Sequence, residues 1–240
     1  MKVGDIVRLK GLIVMGLVIF STLSVSFASI PFNNTHLEEL SEWFTINGNQ
    51  VKGYWVYSDN KGDHFQVVPA VNEGDFCVDD VARVVLLYSE AYELTKDETY
   101  LKLALDASKF VLAMQDSDGE FYNFAYSDGT INKQGVTSYK STSWWTLRAF
   151  LGLSKLSQFT DDVQIRDGAK RAYNSIKKYP PVAGDQLALY VMGLSEYAKV
   201  DKTQDVKNTL KKYADELMNY KTEQFAYLNG FFSVNQENFL

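Results

Sequence analysis

At 240 residues, 46% hydrophobic and 14% aromatic, the chain is long and apolar enough to bury a substantial core, which excludes a disordered protein. Its 24 Lys and Arg stand against 30 Asp and Glu, and a net charge of -6 argues against nucleic acid or an anionic membrane surface as a partner. One cysteine, Cys77, permits no internal disulfide, and with only two histidines, His36 and His64, an ordinary zinc site is not expected. No metal and no cofactor is predicted, although oxygen ligands for calcium stay open.

Residues 1–28 read as an export signal. Lys2, Arg8 and Lys10 give a positive start, Gly11 to Phe20 an apolar run, and Ser26-Phe27-Ala28 a small-x-small cleavage site. An uncleaved anchor is the competing reading, but Ser21, Thr22, Ser24 and Ser26 interrupt a stretch that needs about 20 mostly apolar residues to span a bilayer. The mature chain is expected to begin at Ser29, secreted or in the cell envelope, with no membrane attachment after cleavage.

Residues 29–77 form a small N-terminal segment. Thr35 to Phe44 reads as a short amphipathic helix, with Glu38 three positions after Thr35 as in a capping box. Lys52 to Tyr57 and His64 to Val68 alternate and are rich in β-formers, with Ser58 to Asp63 as the turn of one hairpin.

From Val78 the periodicity becomes helical and predicts three αα-hairpins over residues 78–240. Val78 to Leu94, Ser143 to Leu156 and Asp185 to Ala198 are apolar nearly all round. Their followers, Glu98 to Met114, Asp162 to Lys178 and the run carrying Val206, Leu210, Tyr213 and Leu217, are apolar on one stripe only. A buried helix then a surface helix, in repeated order, predicts an all-α fold of hairpin repeats in two layers, a partial α/α toroid with a small β-hairpin at its N-terminus; a flat solenoid is the alternative. The tail from Gly230 to Leu240 looks like a loop leading into a further inner helix, so the chain reads as incomplete at its C-terminus. An open edge of inner helices would invite self-association.

The stretches Asp75-Phe-Cys-Val-Asp-Asp-Val-Ala-Arg83, Tyr92-Glu-Leu-Thr-Lys-Asp-Glu-Thr-Tyr100 and Met114-Gln-Asp-Ser-Asp-Gly-Glu-Phe121 resemble the opening hairpin of the six-hairpin glycosidase superfamily, in a branch with a Cys-Val-Asp-Asp-x-Ala-Arg stretch. The resemblance covers roughly Glu73 to Leu156. It implies an (α/α)6 barrel acting on carbohydrate, whereas three clear hairpins are only half of such a barrel.

In a two-layer toroid the inner helices run parallel, so the loops entering them converge on one mouth. Those loops bring Glu73, Asp75, Asp79, Asp80, Asp116, Asp118, Glu120, Asp128 and Asp185. Glycoside hydrolysis needs two carboxylates about 5 to 9 Å apart in different protonation states. Asp80 and Asp79 are therefore the candidate catalytic residues, and Arg83, Asp75, Trp144, Trp145, Tyr122 and Asp185 the candidate substrate contacts. The bland account of Asp79, Asp80 and Asp185 is helix capping, with Arg83 as a local ion-pair partner at i+3 and i+4. Trp144 and Trp145 cannot face the same way, so one is expected to pack between layers while the other looks into the mouth. Asp116-Ser-Asp-Gly-Glu120 is read as a turn, Glu120 to Tyr126 and Thr130 to Thr137 as a hairpin over the mouth, and Cys77 as a small core residue. The functional expectation is an exported glycoside hydrolase-like protein with carbohydrate as its partner. The alternatives are a non-catalytic sugar-binding or scaffold protein, or an inactive fragment of a longer enzyme.

Overall fold

A computed structural model describes residues 33–220. The leader and cleavage site expected over residues 1–28, and the tail from Gly230, lie outside the described residues. Among the described residues no helix is long and apolar enough to cross a membrane.

The chain opens with a single helical turn, α1 (Thr35–Glu39), whose N-cap is Asn34 and which carries no side-chain cap. The helix expected to reach Phe44 stops five residues short. Ser41–Ile46 is strand β1, paired antiparallel with β2 (Asn49–Tyr54) in a register that sets Ile46 opposite Asn49. The two connecting residues, Asn47 and Gly48, have φ of 50° and 82°. A two-residue turn with both φ positive matches the twist of a hairpin, and Asn-Gly is the pair that adopts it at least cost. Strand β3 (Tyr57–Asn60) pairs with β4 (Phe65–Val68), so His64 to Val68 closes on Tyr57 to Asn60 and not on Lys52 to Tyr57 as expected. The short strand β5 (Phe76–Cys77) pairs with β6 (Phe124–Ala125), tying the entry to the helices to the long loop after the first hairpin.

The helices follow as α2 (Val78–Thr95), α3 (Glu98–Ala113), α4 (Trp144–Leu156), α5 (Val163–Lys178), α6 (Gly184–Val200) and α7 (Gln204–Met218). Helices α2, α4 and α6 stand side by side as the inner layer, and α3, α5 and α7 each cover the inner helix that precedes them. Helix α4 is flanked on both sides, which explains its apolar circumference: from Trp145 to Leu156 only Arg148 is not buried. Among the described residues its neighbours are each flanked by one inner helix only, and Leu94 on α2 and Met192 on α6 are exposed.

Two features hold the inner layer together. Gly152 of α4 faces the backbone of α2 so closely that a Cβ there would lie 2.7 Å from the Ala82 carbonyl oxygen. One turn further on, the buried ammonium of Lys155 reaches Glu93 of α2 at 2.6 Å and Glu196 of α6 at 3.6 Å, so one cation joins all three inner helices. Between the layers Phe150 packs against Tyr173, Tyr190 and Tyr197 with centroid distances of 5.5 to 6.3 Å. Under the β-hairpin, Phe44 stacks on Phe76 at 4.5 Å, seating the N-terminal segment on the first hairpin.

Candidate active site

The outer and inner helices begin differently. Helices α3, α5 and α7 each start with a side-chain cap, from Asp97, Asp162 and Thr203 to the amides of Thr99, Gln164 and Val206. The inner helices start at Cys77, Ser143 and Ala183, none of which makes a side-chain cap. At α2 the donors are satisfied from the long loop: Val78 N–H donates to the Asn123 carbonyl oxygen at 2.8 Å and Asp79 N–H to Asn123 Oδ1 at 3.1 Å. Neither Asp79 nor Asp80 caps the helix it opens.

Both carboxylates instead line an open cleft of about 560 Å³, bounded by the first turns of α2 and α4, the start of β3 and the long loop. Asp79 accepts from two guanidiniums, Arg148 on one oxygen and Arg83 on the other at 3.0 Å. Asp80 accepts from Arg83 at 2.7 Å and from the Cys77 thiol at 3.2 Å. The Asp80 side chain is 38% exposed and that of Asp79 21%, so Asp80 is the more accessible acid. Burial, and then the neighbouring Asp80 charge, pushes the Cys77 thiol well above its ordinary range, so it serves as a donor to Asp80 and not as a nucleophile.

The two tryptophans divide as their adjacency requires. Trp145 is buried and donates from Nε1 to the Phe121 carbonyl at 2.8 Å, while the half-buried Trp144 lines the cleft with the Arg148 guanidinium 5.2 Å from its ring centroid. Trp145 also contributes to the cleft wall. Tyr57, 57% exposed at the start of β3, also lines the cleft.

Other candidates sit elsewhere. Asp75 is buried and accepts from Ser127 N–H at 2.7 Å, which anchors the turn at Ser127 to Gly129 beneath the loop. Tyr122 lies under the Lys133 ammonium, 5.1 Å from its ring, outside the cleft lining. Asp185 follows the first residue of α6, accepts from Gln186 N–H at 2.7 Å and does not line the cleft. Of the remaining mouth acids, Glu73 accepts from Ser138 Oγ at 2.5 Å and Thr137 N–H at 3.1 Å, and Asp116 and Asp118 share Lys140 at 2.6 and 2.5 Å. These carboxylates build the loop. Of the hairpin expected over the mouth, the end next to the turn forms: Ala125 bridges Ile131 antiparallel, with Tyr126 N–H donating to Thr130 O and Asn132 N–H to Phe124 O, each at 2.9 Å.

Sequence reasoning missed Arg148 and Asn123. Arg148 had a visible signal, a cation four residues after Trp144 on a largely apolar helix. Asn123 had none, since its partner lies 44 positions away. Among the described residues no group of three or more His, Cys, Asp or Glu stands close enough to hold a metal ion.

No protein-family model and no curated relative matches the chain. Among solved structures it is similar to a GH76 alpha-mannanase of Bacteroides thetaiotaomicron, with a TM-score of 0.55 and 15% identity, over 75% of this chain and 51% of that one. A weaker likeness, TM-score 0.36 and 15% identity over 56% of this chain and 35% of the other, is to an unsaturated glucuronyl hydrolase of Bacillus sp. GL1. The chain thus spans about half the length of the mannanase structure. The mannanase likeness is one of fold, the α/α toroid that the alternating helices imply.

Proposed function

We propose that the protein is an exported, glycoside hydrolase-like enzyme that takes carbohydrate in the cleft between α2 and α4, with Asp80 as the proton-transferring acid or base and Asp79 as its companion carboxylate. One observation carries this reading. Helix capping, the ordinary reason for acids at a helix start, is supplied by Asn123, so two carboxylates stand in an open cleft with no capping duty. Asp80 is the more accessible and its donors occupy one direction on each oxygen, leaving lone pairs for a glycosidic oxygen or a water. Asp79, held by two guanidiniums, keeps its carboxylate in place beside the reacting group. Tyr57 and Trp144 offer ring faces for the apolar side of a pyranose. Export follows from the basic, apolar and small-residue order of residues 1–28, with the mature N-terminus at Ser29.

The test is hydrolysis of a panel of plant and microbial glycans, α-mannan included, by the parent protein and by Asp80→Asn and Asp79→Asn. Loss of a catalytic acid or base is expected to lower the rate about a hundredfold or more. The exposed Asp80 pair contributes only about 0 to 1 kcal/mol to stability, so the fold should survive Asp80→Asn with little change in melting temperature. A second reading, sugar binding without catalysis, is favoured by the double guanidinium grip on Asp79, which suits a fixed rim for sugar hydroxyls. A parent that binds glycans and cleaves none establishes that reading instead. N-terminal sequencing from the native host tests export, and an intact Met1 in the membrane fraction overturns cleavage.

A further inference from the structure

We infer that Asn123 is a positioning residue for the acid pair, acting by taking over the N-terminus of α2 so that Asp79 and Asp80 point into the cleft. The inference rests on the reading of that cleft as the active site. All four polar groups of Asn123 are engaged while the residue is only 4% exposed. Its N–H donates to Ser138 O at 3.0 Å and its carbonyl accepts from Val78 N–H at 2.8 Å. Its side-chain Oδ1 accepts from Asp79 N–H at 3.1 Å and its Nδ2 donates to Thr137 O at 2.9 Å. One amide side chain therefore joins the acid-bearing turn to a loop segment that also lines the cleft.

The physical need is specific. The first amides of a helix have no acceptor within it, and a carboxylate in the first turn is a favoured acceptor for them. Cys77, the residue in the N-cap position, provides none, and its thiol is turned to Asp80. Without Asn123 the carboxylates of Asp79 and Asp80, in the same first turn, are acceptors the freed amides can draw on, and a carboxylate turned back to its own helix leaves Arg83 and Arg148. Asparagine suits the place because it accepts at one end and donates at the other, whereas a carboxylate would set an oxygen against the Thr137 carbonyl.

The experiment compares wild type with Asn123→Ala by amide hydrogen exchange and by the guanidinium NMR signals of Arg83 and Arg148. In wild type the Asp79 amide should be protected although it lies in a first turn, and an unprotected Asp79 amide overturns the inference whether or not the variant folds. In Asn123→Ala, Asp79 protection should fall about tenfold or more. The hindered guanidinium signals should also become those of freely rotating side chains, while the core amides of Leu147 and Leu153 keep their protection. A purely structural role predicts a lower melting temperature with the guanidinium signals unchanged, and that result refutes positioning. With a cleaved glycan in hand, kcat should fall about tenfold with KM within about twofold, the pattern of an interaction made in the transition state. A parent that cleaves nothing removes the glycosidase reading alone, since neither the exchange nor the guanidinium measurement uses substrate.

Discussion

Replacing Gly152 by alanine tests whether the inner layer is held at the spacing the site requires. Alanine in a helix interior ordinarily gains about 1 kcal/mol over glycine. At Gly152 the new Cβ would meet the Ala82 carbonyl oxygen at 2.7 Å and Val85 Cβ at 3.6 Å. The first of these is backbone, so relief requires α2 and α4 to separate, and overpacking of that kind costs about 1–3 kcal/mol. We expect a net loss of about 1 kcal/mol, or about 2–4 °C in melting temperature for a domain of this size. Gly168 of α5 is the control, because its nearest contact is Leu112 Cδ2 at 2.5 Å, the end of a flexible side chain that can turn away. Gly168→Ala should therefore be neutral or stabilising. The effect at Gly152 should also reach the cleft, since Gly152 lies one turn beyond Arg148 and Ala82 lies between Asp79 and Arg83, so the Asp79–Arg148 pair is stretched as the helices part. Thermal and urea unfolding of both variants, with glycan binding alongside, decides. A Gly152→Ala protein stabilised as much as Gly168→Ala refutes the close-approach reasoning.

Tyr57→Ala should weaken glycan binding about fivefold, the equivalent of about 1 kcal/mol of ring contact, and leave the melting temperature unchanged because the ring is exposed; calorimetric titration measures it, and unaltered affinity removes Tyr57 from the subsite. Burial, then the charge of Asp118, raises the Glu120 carboxyl above its ordinary range, so its ionisation opposes folding at neutral pH and ceases to do so on acidification. Glu120→Gln should accordingly raise the melting temperature at neutral pH, with the gain vanishing in strong acid. Hydrogen bonds from Lys177, then Tyr173, lower the Asp205 carboxyl, so its contribution has the opposite sign: present above the ordinary carboxylate range and lost as pH falls through the lowered value. Asp205→Asn should lower the melting temperature at neutral pH and converge with wild type in strong acid; parallel pH profiles for the two variants contradict both assignments.

Five of the six long helices were legible to within a residue or two, and the sixth by its apolar spacing without bounds, because that spacing persists over more than three turns and because the inner and outer members differ in how much of their circumference is apolar. That difference reflects what each helix touches: α4 meets neighbours on both sides, and its sequence admits one residue that is not buried after Trp144, Arg148. The N-terminal segment was read less well for a local reason. Glu38 after Thr35 imitates a capping box, yet Glu38 instead accepts from the Lys52 ammonium at 2.6 Å, a strand contact that short-range pattern cannot express. Asn47-Gly48 is a hairpin signal that went unread, since that pair adopts the positive φ of a two-residue turn at least cost.

At the site, the adjacency of Asp79, Asp80 and Arg83 made one ion-pair cluster visible, because residues three and four apart on a helix share a face. What local spacing could not convey is which acids are released for work and which are consumed by structure. Asp75 looked as available as Asp80, but the Ser127 amide reaches it across 52 positions. The distinction depends on long-range partners: where the loop lends an acceptor side chain to the helix, as Asn123 does, the acid beside it faces the cleft, and where a loop amide donates to the acid, as at Asp75 and Glu73, the acid becomes part of the loop. Arg148 completes that division. Its guanidinium covers one face of Trp144 and grips Asp79, so the second inner helix contributes the cation that holds the first helix's acid against the cleft wall.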